Sequence, residues 1–109
     1  MRFNTALLHS AKLGDENTGA TLTPIYQSSA FYQPSAEQHE KLFHNKATGY
    51  SYTRINNPTI AAFEERMTNL EKGVGSVACS SGMAALTNAL LNIVGAGGEI
   101  VSSTCLLYT

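Results

Sequence analysis

The sequence predicts an α/β fold on three observations near its C-terminal end. A short apolar run at 76–79 predicts a buried strand, the apolar stretch at 83–91 predicts a helix, and the run at 99–103 predicts a second strand. Turns that contain glycine separate these elements. Because a crossover helix joins neighbouring parallel strands, this order predicts the strand–helix–strand unit of a mostly parallel sheet.

Charged residues are few and unevenly distributed. They make up 14% of the 109 residues, against roughly 25% in an ordinary soluble domain. Four lie in 1–35, ten lie in 36–75, and only Glu99 follows, so the last third is expected to be buried interior. Two parallel strands alone are rarely stable, and we therefore expect the front portion of a larger α/β protein. The net charge of −1, without an acidic or basic block, gives no electrostatic footprint for nucleic acid or a membrane.

The first 35 residues predict an extended arm. They show neither helical nor sustained strand periodicity, and Gly14, Gly19, Pro24 and Pro34 interrupt them. An irregular segment of this length is uncommon inside a compact domain. We expect it to lie over the rest of its own chain or over another subunit.

Two helices are predicted between the arm and the first strand. The polar residues 36–46 suit a short surface helix that a glycine closes. Asn57 and Pro58 are typical of a helix start, and apolar residues recur at helical spacing as far as Gly73. This pattern predicts a helix over 58–72.

Signals for export, disulfide formation and metal binding are lacking in the sequence. No run is apolar and long enough for a signal peptide or a membrane span, so we expect a cytoplasmic protein. Cys79 and Cys105 belong to no Cys-x-x-Cys motif and are expected to be buried, reduced thiols. His39 and His44 are five residues apart, not the four that align two ligands on a helix, so no metal site is predicted.

The turn at Ser80–Met83 is a first candidate for binding an anion. It leads from the predicted strand into a helix, where free N–H groups and the positive end of the helix dipole gather. An ordinary serine N-cap is the alternative, and the local pattern favours it because neither G-x-G-x-x-G nor the Walker motif is present.

The stretch 50–54 is a second candidate. If it is extended, alternation places Tyr50, Tyr52 and Arg54 on one side, and a phenol beside a guanidinium suits a phosphate. The alternative is a half-buried edge strand with packed aromatic rings and a solvated arginine. Local pattern alone favours the edge strand.

Four motifs in a fixed order resemble one enzyme family. They are PIYQSS at 24–29, YSYTRINNPT at 50–59, LEKG at 70–73 and SSGMAA at 80–85. Together they are similar to the Cys/Met-metabolism family of pyridoxal-phosphate (PLP) enzymes, which includes O-acetylhomoserine sulfhydrylase, cystathionine γ-synthase, cystathionine γ-lyase and methionine γ-lyase. The resemblance extends over essentially the whole chain and raises both phosphate hypotheses together.

The resemblance implies the start of the type I aminotransferase-like fold of PLP-dependent transferases. Residues 1–57 would form an arm with cross-subunit cofactor contacts, and 58–109 would begin the PLP-binding large domain with its first strand–helix–strand unit. The active sites would then lie between subunits of a homo-oligomer, a dimer or a tetramer.

Six cofactor-binding residues follow from the resemblance. Tyr52 and Arg54 would reach the cofactor phosphate of the neighbouring chain. Ser81, Gly82 and Met83 would hold the phosphate within their own chain, the last two mainly through backbone N–H groups.

The sixth is Tyr108, which would stack on the cofactor ring and assist proton transfer as a catalytic residue. Tyr50 and the Tyr26–Gln27 segment are weaker candidates, for which packing in the core or at an interface is the favoured interpretation.

The implied activity is γ-replacement with sulfide or a thiol on an amino-acid substrate in methionine biosynthesis, as in an O-acetylhomoserine sulfhydrylase. A γ-lyase or γ-synthase of transsulfuration is the alternative within the family. The family also uses a Schiff-base lysine and an aspartate at the ring nitrogen, and this sequence contains neither. The 109 residues alone are therefore expected to be inactive. A non-catalytic fragment or assembly module is the alternative of another class.

Overall fold

The computed structural model describes residues 2–11 and 14–103 in two compact units, Met1–Val77 and Ala78–Thr109. The described residues form four helices: α1 (Phe3–His9), α2 (Ala36–Phe43), α3 (Pro58–Glu71) and α4 (Gly82–Ile93). The first three belong to the first unit and α4 to the second.

Helix α1 corrects the expectation that residues 1–35 contain no helix. It spans only seven residues, too few for a periodic pattern to stand out. It contacts α3, and the Asn69 side chain of α3 donates a hydrogen bond to the Ser10 carbonyl just beyond α1. These tertiary contacts stabilise a helix that would be marginal in isolation.

Helix α2 confirms the predicted surface helix but is shorter than 36–46. Ser35 caps it, because its hydroxyl accepts a hydrogen bond from the Gln38 N–H at 3.2 Å. The helix ends at Phe43, and Asn45 follows in the left-handed region with φ of 54°.

Helix α3 matches the predicted helix over 58–72 to within one residue. The Asn57 side chain accepts a hydrogen bond from the Thr59 N–H at 2.9 Å, and Pro58 occupies the first turn. Its last residue is Glu71, and the left-handed position after it is held by Lys72, with φ of 55°, and not by Gly73.

The predicted strands at 76–79 and 99–103 are not formed in the described part of the chain. Within residues 2–11 and 14–103 the only β-pairings are two isolated antiparallel bridges, Asp15 with Ala20 and Ala30 with Tyr52. A strand exists only through hydrogen bonds to a neighbouring strand, and two short runs offer too little pairing to form a sheet alone. The apolar runs were identified correctly, but the prediction of a strand–helix–strand unit was wrong for this chain.

The C-terminal third is not buried within the described part of this chain. Side chains of α4 are largely exposed, with Leu91 at 74% and Ile93 at 83%, and Cys79 is half-buried rather than buried. The described part of this unit supplies one helix, which has no second layer against which to bury an apolar face. Cys105 lies outside the described residues.

Candidate functional site

A short antiparallel pairing supports the stretch that carries Tyr52 and Arg54. The Phe31 N–H donates to the Ser51 carbonyl at 3.0 Å, and the Thr53 N–H donates to the Ser29 carbonyl at 2.9 Å. These bonds flank the bridge between Ala30 and Tyr52. The pairing fixes 51–53 against a segment twenty or more residues earlier in the chain.

Tyr52 and Arg54 lie on a tight turn and not on an extended strand. The Tyr52 carbonyl accepts hydrogen bonds from the N–H groups of Ile55, at 2.9 Å, and Asn56, at 3.1 Å. The turn places the Arg54 guanidinium carbon 5.2 Å from the centre of the Tyr52 ring, within cation–π range. The contact predicted from an extended 50–54 is therefore present, but a turn produces it.

Tyr50 does not share this position. Its half-buried ring packs against Phe31 at 5.7 Å between centroids, and its carbonyl accepts a hydrogen bond from the Gln33 side chain at 2.7 Å. Tyr26 is also half-buried. The packing interpretation of Tyr50 agrees with these contacts.

Tyr52 and Arg54 line a groove of about 410 Å³ in the first unit. Its wall includes His39, whose Nε2 lies 3.3 Å from the Ser51 hydroxyl and whose ring packs 4.9 Å from that of Phe43. Tyr52 is 41% exposed, and Arg54 is also an exposed residue. A cationic fork and a phenol therefore face an open groove, where an anionic group can reach both.

Asn57 directly follows this turn in the chain and does more than cap α3. It is the one buried residue in the described part of the chain, 3% exposed. Its Nδ2 donates to the Tyr26 carbonyl at 2.9 Å and to the Thr53 hydroxyl at 3.0 Å. The Thr59 hydroxyl adds a donated bond to the Pro24 carbonyl and accepts one from the Tyr26 N–H, both at 2.9 Å. Only the cap is predicted from the sequence, because the contacts with Tyr26 and Pro24 join segments more than thirty residues apart.

The N-terminus of α4 carries the predicted turn in the second unit. Ser81 is its N-cap, with its hydroxyl accepting from the Ala84 N–H at 3.1 Å and its carbonyl accepting from the Ala85 N–H at 3.1 Å. The N–H groups of Gly82 and Met83 point out of the first turn, where a helix supplies no acceptor of its own. A Cβ atom at Gly82 would meet nothing within 4 Å, so a ligand can approach this backbone closely.

The structure thus brings Tyr52 and Arg54 into contact and places Ser81, Gly82 and Met83 together on another unit. Tyr108 lies outside the described residues. Within the described ranges, no three His, Cys, Asp or Glu side chains cluster as metal ligands. None of the four described helices is both long and apolar enough to cross a membrane.

Comparison with known proteins identifies the family. The sequence matches the model of the Cys/Met metabolism PLP-dependent enzymes over residues 4–109. It is 48% identical to the O-acetyl-L-homoserine sulfhydrylase of Corynebacterium glutamicum over 93% of this chain, and 44% identical to the cystathionine gamma-lyase of Bacillus subtilis over the same share. These matches span 23% and 24% of the two relatives.

A solved structure supports the same assignment. The O-acetylhomoserine (thiol)-lyase of Campylobacter jejuni, which carries an N'-pyridoxyl-lysine-5'-monophosphate group, superposes with a TM-score of 0.81 at 31% identity. The match covers 89% of this chain and 24% of that enzyme, so the chain spans about a quarter of its relatives. The predicted family and its cofactor, pyridoxal phosphate, are confirmed, and the chain belongs to the Cys/Met metabolism family of PLP-dependent enzymes.

Proposed function

We propose that this chain is the N-terminal part of a PLP-dependent enzyme of sulfur amino-acid metabolism and supplies two parts of the cofactor phosphate site. The contact between the exposed Tyr52 ring and the Arg54 guanidinium carries the proposal, because it presents a phenol and a cationic fork on a hydrogen-bonded turn. Arginine holds phosphate oxygens in a bidentate manner, and a phenol adds a donor at short range.

The second part is the N-terminus of α4. Ser81 can donate its hydroxyl hydrogen to a phosphate oxygen while its oxygen still accepts from Ala84, and Gly82 and Met83 add backbone N–H donors. The helix dipole adds to the attraction for an anion. Both groups of residues fit a phosphate in charge and in hydrogen-bonding capacity.

We place these two parts in different copies of the chain, as the family resemblance implies. Tyr52 and Arg54 would contact the phosphate held by the α4 N-terminus of a neighbouring copy, in a homodimer or homotetramer of the type I fold. The exposure of Tyr52, Arg54 and Gly82 supports this arrangement, because each can reach a group outside its own unit.

The proposed reaction is γ-replacement with sulfide or a thiol, as the name of the 48%-identical sulfhydrylase suggests. The identity of 44% to a cystathionine gamma-lyase supports γ-elimination as the alternative. When bound, the cofactor ring would supply the electron sink for carbanions of the amino-acid substrate. This chain's residues would bind and orient the phosphate, and Tyr108 would stack on the ring and move a proton. We expect the enzyme to work in the cytoplasm.

Replacing Arg54 tests the proposal. In the protein expressed from its complete reading frame, Arg54→Ala should weaken PLP binding by about 1.5–3 kcal/mol, the range for a hydrogen bond to a charged group. The PLP affinity of Arg54→Lys should lie between those of the wild type and Arg54→Ala, because lysine keeps the positive charge but lacks the forked N–H donors of the guanidinium. The dissociation constant is measured by absorbance titration of the apoenzyme.

Arg2→Ala is the matched control, since it removes the same charge from an exposed position at the start of α1. It should leave the PLP dissociation constant unchanged. Equal PLP affinity in wild type and Arg54→Ala would contradict the proposed site.

A further inference from the structure

The buried Asn57 amide makes more hydrogen bonds than a helix cap requires. Capping uses only Oδ1, which accepts from the Thr59 N–H at 2.9 Å. Its Nδ2 donates both hydrogens elsewhere, to the Tyr26 carbonyl at 2.9 Å and to the Thr53 hydroxyl at 3.0 Å. The two functions of this side chain therefore reside on different atoms.

Thr53 is the residue between Tyr52 and Arg54, and it is held at three points. Its hydroxyl accepts from Asn57 and donates to the Ser28 carbonyl at 2.5 Å, while its N–H donates to the Ser29 carbonyl at 2.9 Å. The side chains on either side of it are exposed and leave the backbone in directions that this anchor sets. Holding Thr53 in place therefore holds the backbone from which the Tyr52 and Arg54 side chains extend.

We infer that Asn57 is a positioning residue of the phosphate site. Its amide NH₂ locks Thr53 against the Tyr26 segment, so that Tyr52 and Arg54 are pre-oriented before the phosphate arrives. A turn without this lock would have to be ordered on binding, which lowers affinity. The inference rests on the proposed function, because it assigns Asn57 to the same phosphate site.

Asn57→Asp separates positioning from capping. Aspartate caps a helix as well as asparagine does, but its carboxylate cannot donate to Tyr26 or Thr53. In the protein expressed from its complete reading frame, we expect PLP to bind about tenfold more weakly, because a donor to two partners is lost. The matched control is Asn69→Asp, which removes the donor to the Ser10 carbonyl at the other end of α3 and should leave PLP affinity unchanged.

A double-mutant cycle on the PLP dissociation constant distinguishes positioning from general destabilisation. Arg54→Ala should cost about 10- to 150-fold in the wild-type background but about tenfold less than that in Asn57→Asp, because the loss in Asn57→Asp already comes from a misplaced guanidinium. A purely structural role would lower the melting temperature and leave the cost of Arg54→Ala the same in both backgrounds. That additive result would overturn the inference while the proposed function stands.

Thr53 provides a second pair of variants if Asn57→Asp does not fold. Thr53→Ser keeps the hydroxyl and should retain PLP affinity, whereas Thr53→Val removes it and should reproduce both the weaker binding and the non-additivity with Arg54→Ala. Equal affinities in the serine and valine variants would overturn the inference. An Arg54→Ala variant with unchanged affinity would overturn the proposed function and this inference with it.

Discussion

At the scale of single residues, Ser81 combines a structural and a proposed binding function in one hydroxyl. The Ser81 oxygen accepts a hydrogen bond from the Ala84 N–H and thereby caps α4. The hydroxyl hydrogen can still be donated to a phosphate oxygen. Ser35 caps α2 in the same way, through the Gln38 N–H. The two serines differ in their proposed function, because only Ser81 is proposed to bind a phosphate.

Alanine variants of these two serines should separate the two functions. Each loses a cap and should lower the free energy of unfolding by about 1 kcal/mol. Only Ser81→Ala should also weaken PLP binding, by about 1.5–3 kcal/mol, because a bond to a charged group is lost. Thermal unfolding and PLP titration check both effects, and equal PLP affinities in the two variants would remove Ser81 from the site.

Helix caps can be predicted from local sequence, whereas contacts between distant segments cannot. Asn57 and Ser81 were both predicted at helix starts, since a cap depends on neighbours two or three residues away. The hydrogen bond that Asn57 donates to the Tyr26 carbonyl joins residues 31 apart and depends on how two segments meet in space. No local pattern contains that information.

At the scale of elements, the helices were predictable and the strands were not. α2 and α3 have caps and boundaries encoded within a few residues, and the structure confirms both. α1 was missed because seven residues are too short for periodicity and its contacts with α3 are not local. A strand also needs a partner, so apolar runs at 76–79 and 99–103 cannot become strands by their own composition.

The backbone just after α3 adopts a left-handed conformation. Lys72 adopts φ of 55°, a left-handed conformation that costs a side-chain-bearing residue roughly 1–2 kcal/mol and glycine almost nothing. Lys72→Gly should therefore raise the melting temperature, with a net gain of up to about 1 kcal/mol after the added unfolded-state entropy.

Lys41→Gly is the matched control, because Lys41 lies within α2, where glycine costs about 1 kcal/mol relative to a good helix former. The same substitution should thus have opposite signs at the two positions in thermal unfolding. A lower melting temperature for both variants would contradict the left-handed assignment of Lys72.

At the scale of the whole molecule, the four motifs identified the family, whereas the composition of the last third did not show which residues would bury it. The motifs could identify the family because each is a local pattern in the sequence. The family match over residues 4–109 confirms the identification. Low charge in 76–109 indicated a segment suited to burial. Composition indicates that a segment is suited to burial, but it does not indicate which residues would cover that segment. In this chain α4 is largely exposed.

We propose one phosphate site that Arg54 of one copy and the α4 N-terminus of another form together. Two variants test it. Arg54→Ala removes the guanidinium, and Gly82→Asp places a carboxylate where the phosphate is proposed, at a position where added atoms meet nothing within 4 Å. An acidic residue in the first turn also favours the helix, so α4 should remain folded.

The most direct measurement is PLP binding by hybrids of the two variants, co-expressed and titrated at a PLP concentration that fills only wild-type sites. If the site is shared between copies, each hybrid pair contains one intact and one doubly altered site, so about a quarter of all sites in a randomly assembled mixture of dimers should bind PLP normally. A mixture that binds no better than either variant alone would contradict the shared site.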